Sequence, residues 1–289
     1  MERRISGTTK LLCLIGSPVA HSMSPAMHNY SCKRLGLDYA YMAFDIKENQ
    51  VQEFLNSARL LNIKGFNVTM PCKSAVACLM DELSPAAEIM QAVNVVVNDN
   101  GKFIGHNTDG IGFVKNLADH GVDVKGKTIT LMGGGGAGTA IFVQLALDGA
   151  KEIRVFNRKG TNFDKLLKLI DKIKEYAPDC RMTICDLEDE KGLYESIRES
   201  DILINATNVG MKPRDEESLI NDMSVCHENL VVAEIIYNPE ETKMMKDALA
   251  AGVKKVVGGK GMLLWQGEEA FRLFTGHEMP VEEVNKNVF

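Results

Sequence analysis

The feature that most constrains this chain is a glycine run placed between a strand and a helix. Residues 128–132 form a short apolar, β-prone stretch. Gly133-Gly134-Gly135-Gly136-Ala137-Gly138 follow at once, and residues 139–147 read as a helix. Gly133, Gly135 and Gly138 match the G-x-G-x-x-G spacing. The first glycine allows a tight turn, the second lets main chain approach a pyrophosphate, and the third lets helix and strand pack closely. The helix N-terminus adds N–H donors and the positive end of a dipole. A glycine run by itself is also an ordinary loop. Here strand, glycines, helix and next strand come in the order that a dinucleotide-binding βαβ unit requires. Gly134, Gly136 and Ala137 complete the predicted phosphate loop.

The next strand bears on which dinucleotide is bound. An acid at its end suits the ribose hydroxyls of NAD. This strand ends instead in Asn157-Arg158-Lys159. A guanidinium suits a 2′-phosphate, which tilts the cofactor toward NADP and leaves NAD open if Arg158 only stacks and Lys159 is solvated.

Short apolar runs alternate with helix-like segments along all 289 residues. Strands are expected at 11–15, 39–44, 66–69, 93–97, 128–132, 152–156, 181–185, 202–205, 230–236 and 255–257. Such alternation predicts an α/β fold with mostly parallel sheets. A polar seam at 121–127 precedes the glycine strand. The expected organisation is two domains with a cleft between them. Residues 1–112, completed by the C-terminal helices at 260–289, form an α/β substrate domain. Residues 113–259 form a doubly wound, Rossmann-type dinucleotide domain.

Composition excludes several classes. A net charge of −6 gives no basic excess for nucleic acid. No apolar run is long enough for a membrane span, and the first ten residues lack a signal core. Seven scattered cysteines without C-x-x-C spacing suit reduced thiols in a cytoplasm, and six histidines form no metal-ligand pattern. No metal is expected. The fifteen methionines read as core filler. Cys72 and His106 read as bystanders to any chemistry, and the charged stretch 186–191 as a solvated helix start.

The N-terminal half carries further polar motifs. Ser22-Met23-Ser24-Pro25 reads as a helix start with Ser24 as N-cap, or as a carboxylate seat at that helix end. In Asn67-Val68-Thr69-Met70-Pro71-Cys72-Lys73, polar residues alternate on a strand. Lys73, one turn later, is a proton-transfer group or a surface charge. Asp109, in Asn107-Thr108-Asp109-Gly110, is a functional acid or a helix cap.

Taken in order, these motifs resemble the shikimate dehydrogenase family, and within it the quinate/shikimate dehydrogenase subgroup. Ser22/Ser24, Asn67–Lys73, Ala92-Val93-Asn94, Asn107–Gly110, the glycine loop, Phe156-Asn157-Arg158, Tyr237-Asn238-Pro239 and Gly261–Gln266 occur in the family's sequence, from about residue 12 to 274. Tyr41-Met42-Ala43-Phe44 and Val209-Gly210-Met211-Lys212-Pro213 point to the subgroup. The resemblance implies an enzyme that oxidises shikimate, quinate or both with NADP or NAD. It implies Lys73 and Asp109 as a catalytic pair. It implies Ser22, Ser24 and Tyr41 on the substrate carboxylate, with Thr69, Asn94 and Gln266 on ring hydroxyls. Asn208, Ile236 and Gly259 then lie near the nicotinamide half. Two departures stand out: Gly160 where NAD-using relatives carry aspartate, and Thr69 where some quinate-using relatives carry serine. An aminoshikimate dehydrogenase and a non-catalytic NAD(P)-sensing regulator are the rival readings, and a homodimer is compatible with the sequence.

Overall fold

The computed structural model describes residues 5–289. Part of the polar N-terminal stretch, residues 1–4, lies outside the described residues. The chain divides into two compact units, Met1–Thr108 with Leu264–Phe289, and Asp109–Leu263.

The first unit runs β1 (Lys10–Gly16), α1 (Ser24–Arg34), β2 (Tyr39–Asp45), α2 (Val51–Leu60), β3 (Gly65–Val68), α3 (Lys73–Ala77), β4 (Glu82–Leu83), α4 (Pro85–Met90), β5 (Val95–Asp99) and β6 (Lys102–His106). Its six strands are ordered β2-β1-β3-β5-β6-β4. Strand β1 is a continuous apolar run buried from Leu12 onward, as a central strand covered on both faces must be. In α2, Val51, Phe54, Leu55 and Ala58 fall on one helical face, and that face is buried. It packs on an edge-to-face aromatic series, Phe54–Phe66–Phe103, with centroids 5.1 and 5.7 Å apart.

This sheet is mostly parallel, as expected from the sequence, with one strand running against the rest. Strand β5 runs antiparallel to both β3 and β6. The cause is local. Asn100 and Gly101 both take positive φ, 53° and 95°, so two residues close a tight hairpin and no crossover helix is needed.

The second unit runs α5 (Asp109–Asp119), β7 (Thr128–Met132), α6 (Gly136–Leu147), β8 (Glu152–Asn157), α7 (Thr161–Tyr176), β9 (Arg181–Asp186), α8 (Glu190–Arg198), β10 (Ile202–Asn205), β11 (Val231–Glu234), α9 (Lys243–Ala250) and β12 (Lys255–Val257). Helices α10 (Lys260–Thr275) and α11 (Val281–Val288) end the chain. All strand pairs of this unit are parallel, in the order β12-β11-β10-β7-β8-β9. Read from β9 and numbered within the unit, that is 3-2-1-4-5-6. The order reverses between β7 and β10, where doubly wound sheets bind dinucleotides at strand C-termini. Helix α6 follows β7 and is buried almost throughout, as a helix apolar all round must be.

Among the described residues no helix is long and apolar enough to cross a membrane, and no group of three His, Cys, Asp or Glu is placed to hold a metal. All seven cysteines are free thiols.

Candidate active site

In the first unit four of the predicted substrate residues, Ser24, Tyr41, Asn94 and Gln266, belong to one hydrogen-bonded series. The Tyr41 hydroxyl donates to Asn67 Oδ1 at 2.7 Å and also meets the Ser24 side chain. Asn67 Nδ2 donates to the Asn94 carbonyl at 3.4 Å. Asn94 Oδ1 accepts the Thr108 N–H at 2.8 Å, and its Nδ2 donates to Thr108 Oγ1 at 3.1 Å. Thr108 Oγ1 in turn donates to the Gln266 carbonyl at 3.1 Å. Tyr41, Asn67, Asn94 and Thr108 are all buried. Buried polar groups of this kind are stable only when paired, so the series has a defined geometry.

Asn67 and Thr108 join this series although sequence reasoning assigned them no contact. Their signal was present, in a polar residue alternating with apolar neighbours on β3 and in the Asn-Thr-Asp run, but neither residue type is diagnostic.

Ser24 is the first residue of α1 rather than its cap. The cap position is Met23, and the Ser22 hydroxyl accepts the Ser24 N–H at 3.2 Å. Both serines therefore stand at the helix N-terminus, where backbone donors favour an anion. Thr69 directly follows β3, half-buried, with its N–H on the Ile15 carbonyl at 2.8 Å. Lys73 opens α3, half-buried, and its carbonyl accepts the Val93 N–H at 3.0 Å, one residue from Asn94.

Tyr41 lies flat on His28, with ring centroids 4.4 Å apart and planes within 3°. Burial drives the His28 imidazole down to about 3, so it is neutral at physiological pH, and burial raises the Tyr41 phenol well above its ordinary value. The Cys72 thiol donates to the Ile46 carbonyl, and burial pushes its pKa up, the reverse of an activated thiolate. His106 is pushed down, again chiefly by burial.

In the second unit the glycine loop explains its own composition. Gly133 has φ +102°, and a Cβ there would sit 2.8 Å from Ala206 main chain. A Cβ on Gly138 would lie 2.1 Å from the Gly133 carbonyl oxygen. Gly135 and Gly136 face open space and are exposed. Gly135 caps α6 and Gly136 begins it, and the first amides of the helix have no partner within it. The loop therefore fits a pyrophosphate, with Gly135, Gly136 and Ala137 presenting main chain to it. The Gly134 N–H is already used, donating to Asn157 Oδ1 at 2.9 Å.

Asn157 thus anchors the glycine loop, and its Nδ2 donates to the Arg158 carbonyl at 2.8 Å. Arg158 is exposed and makes no ion pair among the described residues. Lys159 Nζ is 3.0 Å from Asp186 Oδ2. Asp186 ends β9, which corrects its reading as part of a helix start. The helix begins at Glu190 behind the Asp189 cap.

The remaining predicted cofactor residues sit on loops after β10, β11 and β12. Asn208 is exposed, Ile236 is buried, and Gly259 donates to the Ile236 carbonyl at 3.0 Å. Asp109, half-buried, is the first residue of α5.

A buried carboxylate that sequence reasoning missed underlies these loops. Glu234 accepts from Asn205 Nδ2 at 3.0 and 3.2 Å and from the Thr242 hydroxyl at 2.8 Å. Burial raises its carboxyl to about 7, against these hydrogen bonds. A single acid inside an apolar strand gave no sequence signal.

An all-parallel sheet in 3-2-1-4-5-6 order, with a glycine loop at its reversal point, defines a dinucleotide-binding unit, and its partner unit carries a buried array of hydroxyls and amides. That combination is the architecture of a dinucleotide-linked dehydrogenase. A family model described as the shikimate dehydrogenase substrate binding domain matches residues 14–96, and one described as the shikimate 5'-dehydrogenase C-terminal domain matches 259–288. The chain is 50% identical over 286 residues to a shikimate dehydrogenase (NADP(+)) of Streptococcus pyogenes serotype M28, covering 98% of each chain. Its fold matches a shikimate 5-dehydrogenase from Listeria monocytogenes, in complex with shikimate and NAD, with a TM-score of 0.96 at 42% identity, over 100% of this chain and 99% of that one. It also matches a quinate dehydrogenase from Corynebacterium glutamicum, in complex with NAD, with a TM-score of 0.82 at 30% identity, over 96% and 98%. The chain belongs to the shikimate dehydrogenase family.

Proposed function

We propose that this chain reversibly oxidises shikimate to 3-dehydroshikimate with NADP as the preferred dinucleotide. The observation that carries the reading is the series Ser24–Tyr41–Asn67–Asn94–Thr108–Gln266, a fixed array of hydroxyls and amides suited to a polyhydroxylated acid. A site built to hydrogen-bond several hydroxyls rejects analogues that leave its groups unpaired. The carboxylate would rest on Ser22 and Ser24 at the start of α1. Thr69, Asn94 and Gln266 would hold ring hydroxyls.

The dinucleotide, when bound, supplies or accepts the hydride. The chain itself must hold the ring and move a proton at the reacting oxygen. Lys73 is the proton donor in the reducing direction and the acceptor in the oxidising one, and Asp109 orients its amine. Gly135, Gly136 and Ala137 hold the pyrophosphate, Arg158 and Lys159 the 2′-phosphate, and Asn208, Ile236 and Gly259 the nicotinamide half. A regulator without catalysis would not require Lys73 and Asp109 together. The free thiols favour a reducing compartment, the cytoplasm.

Initial rates for shikimate and quinate, each with NADP+ and with NAD+, test the proposal in one assay. The expected optimum is shikimate with NADP+. A faster rate with quinate would reassign the substrate, and no turnover with either acid would overturn the reading.

A further inference from the structure

We propose that Asp186 limits this chain's preference for a 2′-phosphorylated dinucleotide by holding Lys159 and by repelling the phosphate. The inference rests on the NADP reading above.

The end of β8 is fixed against the phosphate loop, because Asn157 Oδ1 accepts the Gly134 N–H. Both ends of the Asn157 amide are committed to main chain, so the recognising charges at this edge are Arg158 and Lys159. Asp186 stands directly across from Asn157 in the parallel register of β8 and β9. Its carboxylate is anchored, with Oδ1 accepting the Glu188 N–H at 3.1 Å, while the Leu187 N–H donates to the Asn157 carbonyl at 3.1 Å.

The two partners differ in freedom. The Lys159 side chain is 76% exposed and the Asp186 side chain 21%. Lys159 is therefore a mobile point charge tethered to a fixed anion. Its ammonium is raised by the Asp186 hydrogen bond and charge, and further by Glu188. A phosphate arriving at this edge must compete with Asp186 for Lys159 and meets a like charge beside it. The hydroxyl pair of NAD meets neither cost. Asp186 is thus a specificity-determining residue that weakens NADP binding and leaves NAD binding unchanged.

Calorimetric titration of NADP+ and NAD+ into the wild type, Asp186→Asn, Lys159→Ala, Arg158→Ala and the Asp186/Lys159 double variant tests this. Asparagine keeps an oxygen for the Glu188 N–H, and a melting curve checks that the fold is retained. Asp186→Asn should tighten NADP+ by about three- to tenfold, as expected for an exposed ion pair plus lost repulsion. NAD+ affinity should stay within about twofold. The gain should shrink in the Lys159→Ala background and at high salt. An unchanged NADP+ affinity in Asp186→Asn, with Lys159→Ala still weakening it, would sink the inference and leave the NADP reading standing. An equal gain for both dinucleotides would also sink it. If neither Lys159→Ala nor Arg158→Ala weakens NADP+, the reading and the inference fall together.

Discussion

The two units use buried polar side chains differently. In the first, Tyr41, Asn67, Asn94 and Thr108 are neutral and link into an array of the kind that a hydroxylated ligand can join. In the second, the polar cluster is spent on the chain itself. Asn205 gives its Nδ2 to Glu234 and to the Val209 carbonyl, and its Oδ1 takes the Thr207 N–H and hydroxyl. That cluster shapes loops, and the phosphate surface beside it is main chain. In the proposed reading the first unit holds its ligand chiefly with side chains, and the second holds the pyrophosphate with backbone, with Arg158 and Lys159 at its edge.

On the proposed reading the largest effect should fall on proton transfer at Lys73, in the first unit. Lys73→Ala should lower turnover about a hundred- to ten-thousandfold, with NADP+ affinity by fluorescence titration unchanged. Comparable losses in turnover and cofactor affinity would break the division between the units.

The second effect concerns Glu234, whose carboxyl lies at about 7 folded against an ordinary 4.5. Between these values the folded chain keeps a proton that the unfolded chain releases. The stability from this group is complete below about pH 4.5 and is lost as pH rises through 7, on the order of 3 kcal/mol. Denaturant unfolding of Glu234→Gln from pH 5 to 8 should lack this fall. A slope equal to the wild type's would mean that Glu234 does not titrate there.

Backbone recognition predicts a contrast within one loop. Gly138→Ala places a Cβ against the Gly133 carbonyl and should cost about 1–3 kcal/mol. Gly136→Ala enters open space and should cost under about 0.5 kcal/mol in the same denaturant measurement. Between these two falls Gly101→Ala in the β5–β6 hairpin, at φ +95°, which should cost about 1 kcal/mol.

This contrast also explains what could be read from the sequence. Backbone recognition demands glycine at fixed spacing after a strand, so the phosphate loop was visible from residues 128–138 alone. Strands β7, β10 and β12 fell at their expected bounds for the same reason, being apolar runs framed by turns. Side-chain recognition draws on Ser, Thr, Asn and Tyr, which occur in every protein, so Tyr41, Asn94 and Gln266 emerged only through resemblance. Asn67 and Thr108 were not assigned at all. The antiparallel β5–β6 pair was legible in principle from Asn100-Gly101, a strong hairpin signal. The general alternation of strands and helices obscured it. Glu234 and the Lys159–Asp186 pair depend on partners distant in sequence, and no local pattern encodes such pairings.

The division of labour is tested most directly by titrating shikimate and NADP+ separately into Tyr41→Phe. The account predicts about tenfold weaker shikimate binding, from the lost hydroxyl and the unpaired Asn67 carbonyl, with NADP+ affinity unaltered. Weakened NADP+ binding, or shikimate binding equal to that of the wild type, would contradict it.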